Sequence, residues 1–225
     1  MELISENVFL FKNRKLFSSN TYLLKNSLNQ ECVIIDPGLD FDILSQEIKE
    51  NGLIPIAIIS THGHFDHIGC VQLLKNEFNI PFYLHELDLK LCKSANFYLK
   101  IAKLDHKIES VTPDFILKGD KNSLHFNGIN LTIYNFPGHS PGSCVLESNN
   151  LLFTGDIIYK NGLGKGSMPK EDLTLLKKSL IEITSFFKDD SIIFPGHGDF
   201  EVLSEIKNNN TELQNFLNFN NSYNE

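Results

Sequence analysis

The sequence predicts an α+β protein built from two packed mixed β-sheets with helices on the outer faces. Three observations point to this. Apolar runs of strand length recur in two groups, one in each half of the chain. Amphipathic helical stretches accompany both groups. Several apolar runs end in Gly-rich turns that present a single His or Asp, an arrangement in which rigid strand ends place loop ligands.

The first group comprises strand-like runs at Asn7–Phe11, Thr21–Lys25, Glu31–Ile35, Ile54–Ser60 and Pro81–Leu84. Helical patterns occupy Phe41–Asn51 and Ile68–Phe78, and a helical region covers Glu86–Lys107. The second group of strands is Phe115–Leu117, Ser123–Phe126, Asn130–Phe136, Cys144–Glu147, Asn150–Phe153 and Ser191–Phe194. Lys170–Phe187 reads as an amphipathic helix whose inner stripe is Leu173, Leu176, Leu180 and Ile183. One main domain spans residues 1–207. The Asn-rich tail, 208–225, has room for one short helix around Thr211–Phe219.

Composition narrows the function. The chain has 225 residues, enough to bury a large core, and 41% hydrophobic content. A net charge of −8 disfavours a general nucleic-acid binder, because phosphate neutralisation needs Lys and Arg. No uninterrupted apolar span has membrane length, and the N-terminus lacks the basic start and apolar core of a signal peptide. The four Cys show no Cys-x-x-Cys pattern and read as reduced thiols filling the core, with Cys70 close to the motif described next. Together these features lead to the expectation of a cytoplasmic protein with no membrane partner.

The run Thr61-His62-Gly63-His64-Phe65-Asp66-His67-Ile68-Gly69 carries the chemistry. Neutral imidazole is the commonest metal-binding side chain, and imidazole with carboxylate suits zinc, iron or manganese. Burying such groups unpaired is costly, and a divalent cation satisfies several at once. Three later turns repeat the theme. Pro137-Gly138-His139-Ser140-Pro141-Gly142 follows a strand-like run, as do Thr154-Gly155-Asp156 and Pro195-Gly196-His197-Gly198. There is no Gly-x-Ser-x-Gly elbow and no phosphate-binding P-loop. His85, His106 and His125 read as structural or solvated.

The order His-x-His-x-Asp-His, Gly-His-Ser-Pro-Gly-Ser, Thr-Gly-Asp and Pro-Gly-His-Gly resembles the metallo-β-lactamase superfamily. Within it the chain is similar to the short glyoxalase II-like (hydroxyacylglutathione hydrolase-like) enzymes, from about Asn20 to about Glu205. Val33-Ile34-Ile35-Asp36-Pro37-Gly38 matches the family's first motif. The resemblance implies an αββα four-layer sandwich and two divalent metal ions, zinc by default with iron or manganese as alternatives. His62, His64 and His139 would hold the first ion, Asp66, His67 and His197 the second, and Asp156 both. Asp36 would orient a ligand or the motif loop from behind. The implied chemistry is a metal-activated hydroxide, because two ions about 3.5–4 Å apart lower the pKa of a shared water to about 7. Asp66 would help aim that water.

Departures from the family bear on substrate. Full-length glyoxalase II enzymes add a helical domain that helps hold glutathione, whereas only about 25 residues follow Asp199 here. The usual Gly-x-Gly-Arg-x-Asp is Gly162-Leu163-Gly164-Lys165-Gly166-Ser167, which keeps a positive charge at Lys165 without the bidentate fork. The expected function is hydrolysis of a small-molecule thioester or related acyl bond, with Lys165 as the candidate substrate contact. The alternatives are a persulfide dioxygenase-like oxidoreductase with one iron and an RNase Z-like nuclease. Retention of Asp66, His67 and His197 argues against the first, and the lack of a basic RNA-gripping insert against the second.

Overall fold

The computed structural model describes residues 1–166 and 170–218. Strands β1 (Glu2–Ser5), β2 (Val8–Lys12), β3 (Asn20–Lys25) and β4 (Glu31–Ile35) lead into helix α1 (Phe41–Glu50) and strand β5 (Ile54–Ile59). Helices α2 (Phe65–Ile68) and α3 (Val71–Phe78), strand β6 (Phe82–His85), helices α4 (Leu89–Lys93) and α5 (Ala95–Ile101), and strand β7 (Phe115–Leu117) complete the first half. The second half contains β8 (Lys121–Phe126), β9 (Ile129–Asn135), β10 (Cys144–Ser148), β11 (Leu151–Gly155), the short pair β12 (Ile158–Tyr159) and β13 (Gly162–Leu163), and α6 (Leu173–Phe186). It ends with β14 (Ile192–Pro195), β15 (Glu201–Val202), α7 (Leu203–Asn209) and α8 (Thr211–Asn218).

Both large sheets are mixed, as expected. One runs β1-β2-β3-β4-β5-β6-β7, antiparallel up to β4 and parallel from β4 to β7. The other runs β15-β14-β11-β10-β9-β8, with β11 and β14 parallel and the other pairs antiparallel. Three apolar layers separate four structural layers. Leu44, Ile48, Val71, Leu74 and Leu99 seal the helices of the first half onto the outer face of the first sheet. Tyr22, Ile35, Ile59, Leu131, Phe153 and Phe194 fill the space between the sheets. Leu176, Leu180, Ile183, Leu203 and Leu213 join α6, α7 and α8 to the second sheet. This is the αββα sandwich, and it arises because the central strands, such as β4 and β11, alternate their side chains between two buried faces.

Local departures have physical causes. The helix expected over Ile68–Phe78 begins at Phe65 and breaks at Gly69–Cys70, so Asp66 and His67 lie on a helical turn. The Glu86–Lys107 region breaks into a 3₁₀ turn at Glu86–Asp88, α4 and α5, with the Ser94 N–H bonding back to the carbonyls of Lys90 and Leu91. Helix α6 starts at Leu173 because the Asp172 carboxylate caps it, accepting from the N–H groups of Thr174 and Leu175. Leu173 is 48% exposed and does not belong to the inner stripe. Helical side chains lean toward the N-terminus, so the first residue leans off the helix end; Ser179 joins Leu176, Leu180 and Ile183 on the buried face instead. Strands β1, β12, β13 and β15 lacked a sequence signal, being only two to four residues long, too short to show a strand period. The helix near the C-terminus forms as Thr211–Asn218, while Phe219 and the rest of the tail fall outside the described residues.

All four Cys are buried free thiols. Among the described residues no helix is long and apolar enough to cross a membrane. Tyr22, Phe153 and Phe194 form an aromatic cluster with ring centroids 5.2–5.4 Å apart, between the sheets. Phe153→Ala is expected to cost about 3–5 kcal/mol of unfolding free energy by leaving a cavity there. Urea denaturation of wild type and variant measures it; a loss under about 1 kcal/mol contradicts the assigned packing.

Candidate metal centre

The parallel strand pairs deliver the site. β4 and β5 end together, at Asp36 and at the His62–His67 run, while β11 and β14 end at Asp156 and at His197. His139 comes from the turn after β9. That turn is tied to α6, since Ser179 Oγ donates to the Pro137 carbonyl at 2.7 Å and the Asp172 N–H donates to the Gly138 carbonyl at 2.8 Å. The start of β3 fastens two other loops. Ser19 Oγ donates to the Asp66 carbonyl at 2.7 Å, and Asn20 Nδ2 donates to the carbonyls of Pro195 and Gly198. The Tyr22 hydroxyl also donates to the Pro195 carbonyl.

These loops bring all seven residues of the candidate set together. His62, His64 and His139 form one group whose nitrogens lie within 4.8 Å of one another, and Asp66, His67 and His197 form a second. Asp156 lies between them, with Oδ2 3.6 Å from His139 Nε2 and 3.3 Å from His197 Nε2. His197 Nε2 is 3.4 Å from Asp66 Oδ2, and His67 Nε2 is 3.4 Å from Asp156 Oδ1. Ligands held at about 2.0–2.1 Å from one tetrahedral ion stand about 3.3 Å apart, so the spacing fits a first-row divalent metal.

The proton arrangement fits as well. The Gly164 carbonyl, 2.9 Å from His139 Nδ1, can only accept, so Nδ1 carries the proton and Nε2 presents a lone pair. Thr61 Oγ1 donates to Asp36 Oδ2 at 2.7 Å and therefore accepts from His62 Nδ1 at 3.0 Å, which frees His62 Nε2. His62 Nε2 and His64 Nε2 are buried without a hydrogen-bond partner. His64 Nδ1 lies 2.9 Å from the bare His139 Nε2. Burial, then the neighbouring imidazoles, hold His62 well below the usual histidine range, and burial and His139 bring His64 to about 3. These two rings stay neutral, as metal ligands must be.

The second group is electrostatically different. Burial opposes charge on His67, but Asp156, Asp36 and Asp66 together push its pKa well above the usual value. The same competition, dominated on the raising side by Asp156, brings His197 to about 10. Burial also opposes ionisation of Asp66 and Asp156, yet the facing imidazoles win and lower both carboxyls. Positive charge on His67 and His197 is thus held against the two carboxylates of this group.

Asp36 stands behind both groups. Its Oδ1 accepts from the Thr61 N–H at 2.8 Å, and its Oδ2 faces His67 Nδ1 at 3.0 Å. The structure adds residues the sequence did not single out. Ser19, Asn20 and Tyr22 fasten the loops. The Tyr159 ring lies 6.0 Å from that of His197, and burial followed by the Asp156 charge keeps its phenol protonated. Asp88 is buried between the His62–His64 and His139 loops, and burial raises its carboxyl against the hydrogen bonds that lower it. None of these had a motif signal; Ser19, Asn20, Tyr22 and Asp88 act through contacts distant in sequence. His85 is a buried structural residue, its Nε2 3.0 Å from the Gly119 carbonyl. Lys165 reaches the cleft over the two groups, where its Nζ pairs with Glu212 Oε1 at 2.8 Å and lies 5.3 Å from the Phe216 ring centroid. Ser167, the other departure in that loop, falls outside the described residues.

Residues 14–197 match the model of the metallo-beta-lactamase superfamily. The chain belongs to that superfamily. It is similar to the hydroxyacylglutathione hydrolase GloC of Haemophilus influenzae, 30% identical across 88% of this chain and 93% of that protein. Among solved structures it is similar to the BLEG-1 B3 metallo-beta-lactamase, with TM-score 0.83, 30% identity, and coverage of 92% of this chain and 99% of that one. It is also similar to TTHA1623 in a di-iron-bound form, with TM-score 0.78, 28% identity, and coverage of 90% and 98%. Membership and the His/Asp clusters make the chain a metallo-hydrolase-type protein.

Metal uptake should displace the protons held on His67 and His197. Because both folded pKa values are raised, these protons are bound at pH 7.5 and must leave as ligands form. Loading metal-free protein at pH 7.5 should release about two protons per chain, and affinity should strengthen from pH 6 toward pH 9. Calorimetry in buffers of different ionisation enthalpy measures the release. No proton release, with affinity flat over that range, overturns the protonation assigned here.

Proposed function

We propose that the protein is a dinuclear metal-dependent hydrolase of a thioester or related acyl bond on a small cytoplasmic substrate. The observation that carries this reading is the clustering of seven donor side chains at one cleft of about 290 Å³: His64, Asp66, His139, Asp156 and His197 line it, His62 and His67 are buried beside them, and Phe17, Phe65, Tyr159 and Leu163 form its walls. His62, His64 and His139 would hold one ion, Asp66, His67 and His197 the other, and Asp156 both. Retention of both triads, and similarity to a protein solved with two irons, support two ions over one. Zinc is the default and iron or manganese fit the same donors. The bound ions would supply an acidified water and polarisation of a carbonyl oxygen.

The chain's own residues do the rest. Asp66 would accept a hydrogen bond from the attacking water and fix its line of approach. Asp36 holds His67 and Thr61, and through Thr61 the tautomer of His62. The aromatic wall excludes water and contacts the apolar part of an acyl group. Similarity to a hydroxyacylglutathione hydrolase supports a thioester. A screen against thioesters, lactones, β-lactams and phosphodiesters tests this: thioester turnover should exceed the others and vanish with chelator. Preference for phosphodiesters, or oxygen consumption by a single-iron preparation, would falsify it.

Lys165 is the proposed contact for an anionic substrate group. Its pairing with Glu212 means that a substrate anion exchanges with a carboxylate already present, so the net gain is smaller than for a free ammonium. Lys165→Ala should raise KM for anionic thioesters by at most about tenfold, near 1.4 kcal/mol, and leave neutral aryl thioesters unchanged. Equal effects on both substrate classes would remove Lys165 from the binding site. Asp156→Ala should deplete metal at both positions, measured as metal per chain after gel filtration; retention of both ions would refute its bridging role.

A further inference from the structure

We propose that Asp88 is the positioning residue of the His62–His64–His139 group, fixing one ligand-bearing loop against the other. The inference rests on the metal reading above and concerns a residue outside the candidate ligand set. His62 and His64 stand on the loop after β5, and His139 on the turn after β9, in the other sheet. Two contacts join them: the Cys144 N–H donates to the Thr61 carbonyl at 2.8 Å, and His64 Nδ1 lies 2.9 Å from His139 Nε2. Asp88 joins them as well, from a third element, the 3₁₀ turn that follows β6.

Its carboxylate is fully buried and uses both oxygens. Oδ2 accepts from the N–H of Gly63, the residue between His62 and His64, at 2.8 Å. The same oxygen accepts from Ser140 Oγ, next to His139, at 2.6 Å. Oδ1 accepts from the Gly142 N–H at 2.7 Å. Ser143 Oγ extends the contact, 2.8 Å from Ser140 Oγ and accepting from the Ser140 N–H at 2.9 Å. A single acceptor group thus takes protons from both loops at once. The approach is close enough to require glycine. A Cβ at Gly63 would stand 2.9 Å from the Asp88 carbonyl oxygen, and one at Gly142 would stand 2.7 Å from its carboxyl carbon. Only a residue without a side chain lets the carboxylate reach the backbone N–H at both points.

Among the described residues no Lys or Arg forms an ion pair with Asp88. Its charge is balanced by N–H and O–H dipoles aimed at it, an arrangement that fixes direction as well as distance. Asp36 gives the contrast. It reaches His67 directly and Thr61 beside His62, all from the first sheet, whereas Asp88 links residues of the two sheets. Loss of Asp88 therefore acts on the triad that spans the sheets, and leaves the Asp66–His67–His197 group with its own supports at Asp36, Ser19 and Asn20.

The test is cobalt(II) titration of metal-free protein, followed by visible absorption, for wild type, Asp88→Asn and Ser140→Ala. Each is also prepared in a His197→Ala background that disables the other group. Far-UV circular dichroism and thermal melting of the metal-free proteins report folding separately. Asp88→Asn should weaken one of two binding steps by about 10–100-fold, the usual effect of losing an outer support, and the same loss should appear in the His197→Ala background. The second step should change less than about threefold. Ser140→Ala, which removes one hydrogen bond of the three, should weaken the same step by a smaller factor, and it provides the reading if Asp88→Asn does not fold. Equal weakening of both steps, or a lowered melting temperature with both affinities intact, would show that Asp88 is only a general staple. Absence of cobalt binding by wild type would instead sink the metal reading itself.

Discussion

Five imidazoles and two carboxylates brought together below the surface impose the strongest constraint on this molecule. Taking such groups from water costs several kcal/mol each unless every one finds a partner. The protein meets the constraint unevenly. His67, His197, Asp66 and Asp156 offset one another by charge. His62 and His64 are kept neutral and leave ring nitrogens without a partner. That residual lack of partners is what a cation would relieve, so the polar centre and the proposed chemistry have the same physical origin.

The sandwich exists to hold that centre in place. Loops from two sheets must hold the donors to within about 0.5 Å of one working arrangement. The apolar layer between the sheets, with the Tyr22–Phe153–Phe194 cluster, fixes the strands from which the loops leave. Polar staples then act where packing cannot. Asn20 and Tyr22 secure the His197 loop, Ser179 of α6 secures the His139 turn, and Asp36 and Asp88 stand behind the two halves. Such fully buried, fully used hydrogen bonds specify geometry because any shift leaves a donor or acceptor unpaired.

The C-terminal helix shapes the open side of the cleft. Glu212 accepts from the Leu163 N–H at 3.2 Å and pairs with Lys165, while Asn210 Nδ2 donates to the carbonyls of Tyr159 and Gly162. Helix α8 therefore braces the β12–β13 hairpin that leads away from Asp156. A short segment of Asn-rich composition carries contacts that a composition-based reading assigns to a tail. It also sets the charge that an incoming anion meets, by supplying a carboxylate to the one lysine over the cleft floor.

The sequence by itself determined the layered architecture and the identity of the seven clustered side chains. Apolar periodicity is local, and a motif such as His62-Gly63-His64-Phe65-Asp66-His67 carries its donors within a few residues. It did not reveal the short strands β1, β12, β13 and β15, which are defined by pairing with a neighbouring strand, nor that Leu173 leaves the inner face of α6, which depends on where the Asp172 cap starts the helix. Asp88 and Asn20 were silent because each is an ordinary polar residue until the chain folds and puts it beside a loop more than thirty residues away or in the opposite sheet. Only the tertiary structure decided the tautomers of His62 and His139, the pairing of Lys165 with Glu212 and the joining of two loops by one carboxylate. Hydrogen-bond direction and charge balance are properties of three-dimensional neighbours, and sequence spacing does not encode them.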